Sequence, residues 1–103
     1  MSIEQLRAKY LELVNQKLPT LAKQRQFPVK FNHCFARIIL DNLFACCWYE
    51  AIDRKQGAAY KQLSEKQLRE AIKIAEEIIN SPDSYIQQLN LNSLRWRSKV
   101  YPK

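Results

Sequence analysis

The chain has 103 residues, a formal net charge of +7, 47% hydrophobic and 26% charged residues, and one glycine, Gly57. That length holds one domain with a core of its own, and the composition is that of a folded globule rather than a disordered chain. A single glycine excludes the glycine-rich dinucleotide fingerprint, the Walker A loop and the nucleophile elbow, each of which needs glycine where backbone meets a ligand or takes positive φ.

Ser2 and Gln5 form a capping-box pair, and Ile3, Leu6, Tyr10, Leu13 and Val14 then share one helical face. The first helix starts near residue 3 and its apolar face continues through Leu21 and Ala22 to about Gln26. Pro19 lies inside it and predicts either a kink or a restart with proline in the first turn, because it lacks an N–H and clashes with the carbonyl of Asn15. Phe27 to Phe31 reads as a short extended connector, since a residue before proline avoids the α region.

Asn32 is placed to cap a second helix from about His33 to Asp53. Its apolar residues, Phe35, Ile38, Ile39, Leu43, Phe44 and Cys47 among them, lie almost all the way round, so this helix belongs at the centre of the domain. Arg54, Lys55 and Gly57 form its expected end, and Ala58 to Leu63 a short helical turn. Ser64 and Gln67 make a second capping box for a third helix, whose apolar residues Leu68, Ala71, Ile72, Ala75, Ile78 and Ile79 cover an arc of about 160°. Ser81 and Pro82 stop it and begin a fourth, with Tyr85, Ile86 and Leu89 on the inner face.

From Ser93 on, Leu94, Trp96 and Val100 alternate with Arg95, Arg97 and Lys99, the period of an extended segment with one apolar and one cationic edge. The expected architecture is therefore all-α, residues 1–103 forming one domain of about four main helices (core about 3–92) with a hydrophobic central helix and a basic extended tail strapped across it.

The charge is uneven. Residues 1–31 carry six basic and two acidic groups, residues 64–92 three and five, and residues 93–103 four and none. Basic ends around a neutral-to-acidic middle favour an anionic partner. No apolar stretch near the start resembles a leader, and none is long enough for a membrane span. Three cysteines, two of them adjacent, suit a reducing compartment, and a cytoplasmic location is expected.

Four constellations bear on chemistry. His33, Arg37 and Asp41 recur at i, i+4 and i+8 on the central helix. They form either a structural network or the wall of a pocket of roughly 300 Å3 or more, near Trp48, in which His33 is acid, base or ligand. Cys34, Cys46 and Cys47 read as structural thiols, because one histidine and no CxxC spacing leave zinc without ligands, and adjacent helical residues such as His33 and Cys34 do not face each other. No metal and no cofactor is expected. Arg95, Trp96, Arg97 and Lys99 form the candidate partner-binding set, with arginines for phosphates or carboxylates and an indole for stacking or for anchoring the tail on the core. A helix-turn-helix using Ala58–Leu63 and the third helix is opposed by Glu65, Glu70, Glu76 and Glu77, which would repel phosphates.

The segments HCFARIILDNLFACCWY, AYKQLSEKQLREAI and LNLNSLRWRSK, spanning roughly residues 33–99, resemble a family of small bacterial proteins that pair an HCFxRIxLD segment with a central YKQL and a terminal SLRWRxK. The resemblance implies a complete small protein rather than a fragment. Some members carry an acetyltransferase label, which implies coenzyme A held by a Q/R-x-x-G-x-G loop on a mixed α/β fold. With one glycine the chain does not supply the two that this loop needs, no site residue is carried over, and no strand pattern accompanies it.

The functional expectation is a non-catalytic interaction or accessory protein that binds an acidic protein surface or nucleic acid through its basic C-terminal residues. Two alternatives stand beside it: a small-ligand binder or enzyme built on His33, Arg37 and Asp41, and a module that forms homodimers through the second or third helix.

Overall fold

The computed structural model of the chain describes residues 1–100, with side chains through Ser98. Its helices in chain order are α1 (Ile3–Glu12), a π turn (Leu13–Lys17), α2 (Leu18–Ala22), α3 (Asn32–Phe44), α4 (Ala59–Gln62), α5 (Glu65–Asn80) and α6 (Asp83–Val100); two 3-10 turns, Trp48–Glu50 and Arg54–Gln56, link α3 to α4. Among the described residues there is no strand, so the fold is all-α, with α1, α3, α5 and α6 as its four main helices, and the mixed α/β fold implied by the acetyltransferase label is not adopted.

Both capping boxes form. The backbone N–H of Gln5 donates to Ser2 Oγ at 3.2 Å and that of Gln67 to Ser64 Oγ at 3.1 Å, with the reciprocal bonds at 2.9 Å in each case. Each box satisfies amides that the first turn leaves without helical partners. Pro19 neither breaks the first helical stretch nor needs a sharp kink. The chain widens into the π turn just before it, where the N–H of Leu18 reaches the carbonyl of Leu13, and α2 then starts with proline in its first turn. The wider turn relieves the clash of the ring with the preceding turn.

α3 ends nine residues earlier than Asp53, at Phe44, where Ala45 adopts a left-handed conformation at φ 55°. The stop is made by Asp41. Its carbonyl accepts the N–H groups of Ala45 and Cys46, and its side chain accepts the N–H of Trp48 at 2.9 Å, which turns the chain out of the helix. Phe31, not Asn32, is the residue before the first turn; Asn32 lies inside α3 and donates to Asn15 Oδ1 at 3.2 Å. Gly57, at φ 114°, ends the 3-10 turn Arg54–Gln56 rather than the central helix.

The C-terminal segment is the second correction: residues 93–100 are helical and continue α6, and only Tyr101, Pro102 and Lys103 lie outside the described residues. The alternation at period two misleads because the inward positions there are polar. Ile86, Leu89, Ser93 and Arg97 all face α3, and the last two seek hydrogen bonds rather than apolar burial.

α3 sits at the centre, touching α2, α5, α6 and the π turn, while α1 lies along α5. The core joins Leu6, Tyr10 and Leu18 to Phe35, Ile38 and Ile39 of α3 and to Leu68, Ile72 and Ile78 of α5. Each large side chain buried there stabilises the fold by about 1.5–3 kcal/mol against leaving it exposed. Arg25 locks the connector in place: it donates to the carbonyls of Ile79 (2.9 Å) and Ser81 at the end of α5 and to Asp83 Oδ1 (2.7 Å) at the start of α6. It thereby satisfies carbonyls that the end of α5 leaves open. The domain measures 33 × 33 × 18 Å, about two helix layers thick.

Candidate functional site

The stripe on α3 is divided by the structure between two surroundings. Arg37 and Asp41 turn toward α6. Arg37 donates from its two terminal nitrogens to Ser93 Oγ and Asn90 Oδ1, both at 2.8 Å. Asp41 is fully buried and accepts four hydrogen bonds: Ser93 Oγ at 2.6 Å and Arg97 Nε at 2.9 Å on Oδ2, and the Trp48 N–H at 2.9 Å and Arg97 Nη2 at 3.3 Å on Oδ1. A buried carboxylate with that many donors is satisfied, and it holds α6 to α3 at a chosen register.

Two guanidiniums lie near this one carboxylate, but only Arg97 bonds it; Arg37 bonds Ser93 and Asn90 beside it. Burial, then the neighbouring charge of Arg97, lowers the pKa of Arg37. For Arg97 burial pulls downward as well, but the hydrogen bonds and the charge of Asp41, with a contribution from Tyr49, outweigh it and the net direction is up. Arg97 also lies over the ring of Tyr49 at 4.8 Å, and Arg54 covers the same ring at 3.8 Å. The 3-10 turn after α3 is thus clamped between two cations. Two N–H groups of Arg37 and both carboxylate oxygens of Asp41 are thus committed to holding α6 on α3.

His33 lies elsewhere. It is exposed at the start of α3, stacks on Phe31 with ring centroids 5.9 Å apart, and borders a cavity of about 230 Å3 that Trp48 also lines. That cavity takes in His33 and Trp48 but neither Arg37 nor Asp41, so it is not a pocket walled by the whole stripe.

The thiols of Cys34, Cys46 and Cys47 are free, and among the described residues no three His, Cys, Asp or Glu side chains are placed to hold a metal ion. Burial, and then the carboxylates of Glu50 and Asp41, raises the Cys46 pKa, which keeps it a thiol and a poor nucleophile at neutral pH.

The four residues singled out near the C-terminus separate as well. Arg97 faces inward onto Asp41. Trp96 is half-buried, Arg95 is exposed on the opposite side of α6, and the Lys99 side chain lies outside the described set. Beside Arg95 stand Leu91 and Leu94, 49% and 46% exposed, two of the four large hydrophobic residues that the described surface leaves open. On an α-helix Leu91, Leu94, Arg95 and Ser98 fall within an arc of about 100°. From Ser84 to the last residue the sequence contains no Asp or Glu.

Sequence reasoning overlooked Asn90 and Ser93, the partners of Arg37. The spacing Asn90, Ser93, Arg97 is helical and is the signal that could have exposed them. No helix among the described residues is long and apolar enough to cross a membrane. Set against known protein families, curated proteins and solved structures, the chain finds no match.

Proposed function

We propose that the protein is a non-catalytic interaction module that docks on an acidic protein surface through the outward face of α6. The observation that carries this reading is the grouping of Leu91, Leu94 and Arg95 on one exposed face of a helix that has no acidic residue after Asp83. Paired leucines need an apolar recess on the partner, and an uncompensated guanidinium needs a carboxylate at its rim. Nucleic acid would use the cations but leave the leucines without a contact, so a protein partner suits the face better.

The inward side of α6 serves this function indirectly. Arg97, Ser93 and Asp41 fix the helix so that the outer residues are held in one geometry before the partner arrives, which lowers the ordering cost of binding. Two copies of this face would set Arg95 against Arg95, which disfavours a symmetric dimer through it.

Co-purification of the native protein, with both protein and nucleic acid recovered and identified, tests the reading. The expected result is a protein with an acidic surface that is retained by the natural chain and lost from the Leu94→Ser/Arg95→Glu variant. Nuclease-sensitive nucleic acid as the main companion, a second copy of the chain, or a companion kept by the variant would each overturn it.

A further inference from the structure

The hollow beside His33 is independent of α6, and five parts of the chain build it. Tyr10 and Leu11 come from α1, Val14 and Asn15 from the π turn, Ala36 and Leu40 from α3. Trp48 and Tyr60 close the remaining side. The π turn matters here, because its two residues in the wall sit in the widened stretch before Pro19; such turns recur where helices serve a site.

The lining has a definite chemistry. It contains aliphatic and aromatic surface, the amides of Asn15 and Asn32 and the imidazole of His33, and no Asp, Glu, Lys or Arg. Tyr10 is 3% exposed, and burial is the single influence on its phenol, which is raised well above the usual range and stays protonated. Its hydroxyl makes no hydrogen bond with the described residues, and it is not sealed either: among them the one polar side-chain atom buried without a partner is Arg7 Nε. Tyr10 lines the cavity. A hydroxyl with no protein partner is available to one, supplied by water or by a guest. At the mouth, Asn32 donates to Asn15 Oδ1, which leaves the Asn15 amide hydrogens free to turn to the same guest.

We infer that this cavity is a binding site for a small neutral aromatic molecule bearing one hydroxyl, a phenol in chemical class, with its ring between Trp48 and the aliphatic wall and its oxygen on Tyr10. Size agrees with that class. An apolar cavity of about 150 Å3 accepts benzene, and about 230 Å3 leaves room for a ring with small substituents but not for a nucleotide or a coenzyme. A charged ligand would lose its hydration with no Asp, Glu, Lys or Arg in the lining to offset the loss.

Titration of the full chain with para-cresol, followed by NMR on isotope-labelled protein, tests the site, with toluene and benzoate as comparison probes. The expected result is saturable one-to-one binding, with shifts at Val14, Ala36 and the Trp48 indole, and benzoate at least about tenfold weaker. Tyr10→Phe weakens para-cresol about 5- to 10-fold and leaves toluene unchanged. Ala36→Phe fills the cavity and abolishes both; should that variant not fold, Ala59→Leu is the second blocking change. Arg95→Glu, on the far helix, leaves para-cresol binding as it was, which separates this site from the docking face. No saturable shift at those residues, binding that survives the blocking substitution, or para-cresol binding that Tyr10→Phe leaves intact would overturn the assignment.

Discussion

Arg95 and Arg97 stand two positions apart in a run where each alternates with an apolar residue, and in the sequence they look equivalent. On α6 they face opposite ways. Arg97 closes a bidentate contact on the buried carboxylate of Asp41, while Arg95 stands in solvent beside Leu91 and Leu94. Two residues turn a helix by about 200°, so the same residue type becomes a fold determinant on one side and a free contact on the other. Helical phase, more than composition, therefore separates what holds this protein together from what it has available to bind with.

That contrast can be broken most severely at Asp41. Asp41→Ala leaves Arg97, Ser93 and the Trp48 amide short of an acceptor, and a loss of about 3–5 kcal/mol is expected in urea denaturation. The Arg97→Gln variant keeps a polar group there but removes the charge, and about 1.5–3 kcal/mol is expected to go. At the end of α3, Ala45 occupies the left-handed region with an exposed side chain, so Ala45→Gly is expected to raise stability by about 1 kcal/mol.

A smaller effect lies at the other end of α6. The hydrogen bond from Arg25, with the amide of Gln26, lowers the pKa of Asp83 against the cost of its desolvation. A carboxylate depressed in the folded state contributes stability that is full above its unfolded pKa and lost as pH falls through the folded value. Asp83→Asn is accordingly expected to flatten the acid side of the stability–pH curve, read as melting temperature from pH 6 down to pH 3. Smallest of all, Arg95→Glu is expected to leave the melting temperature unchanged to within about 0.5 kcal/mol of stability, as for an exposed residue without partners.

Much of the fold was legible in the sequence because apolar periodicity and caps speak plainly. The box at Ser64 and the stripe from Leu68 to Ile78 define α5, and Ser2 with Gln5 defines the start of α1. The end of α3 was hidden, since no glycine or proline marks it. An alanine takes the left-handed position and an aspartate four residues earlier ties the next turn, and neither residue type announces that role. The helical nature of residues 93–100 was hidden for a related reason: its inward positions are serine and arginine, which a search for buried apolar residues passes over. Of the stripe His33, Arg37 and Asp41, the last two meet at Ser93 without bonding each other. Only tertiary structure separated His33, because the surroundings of α3 change from α6 to α1 along its length.

The most direct measurement of the central claim is a titration of the isotope-labelled chain with an acidic, leucine-bearing amphipathic peptide, set beside an oligonucleotide of equal charge. The account predicts peptide-induced shifts centred on Leu91, Leu94 and Arg95, weak response to the oligonucleotide, and loss of the peptide shifts in Arg95→Glu with the fold intact. Peptide shifts that map away from α6, or that persist in the variant, would contradict it.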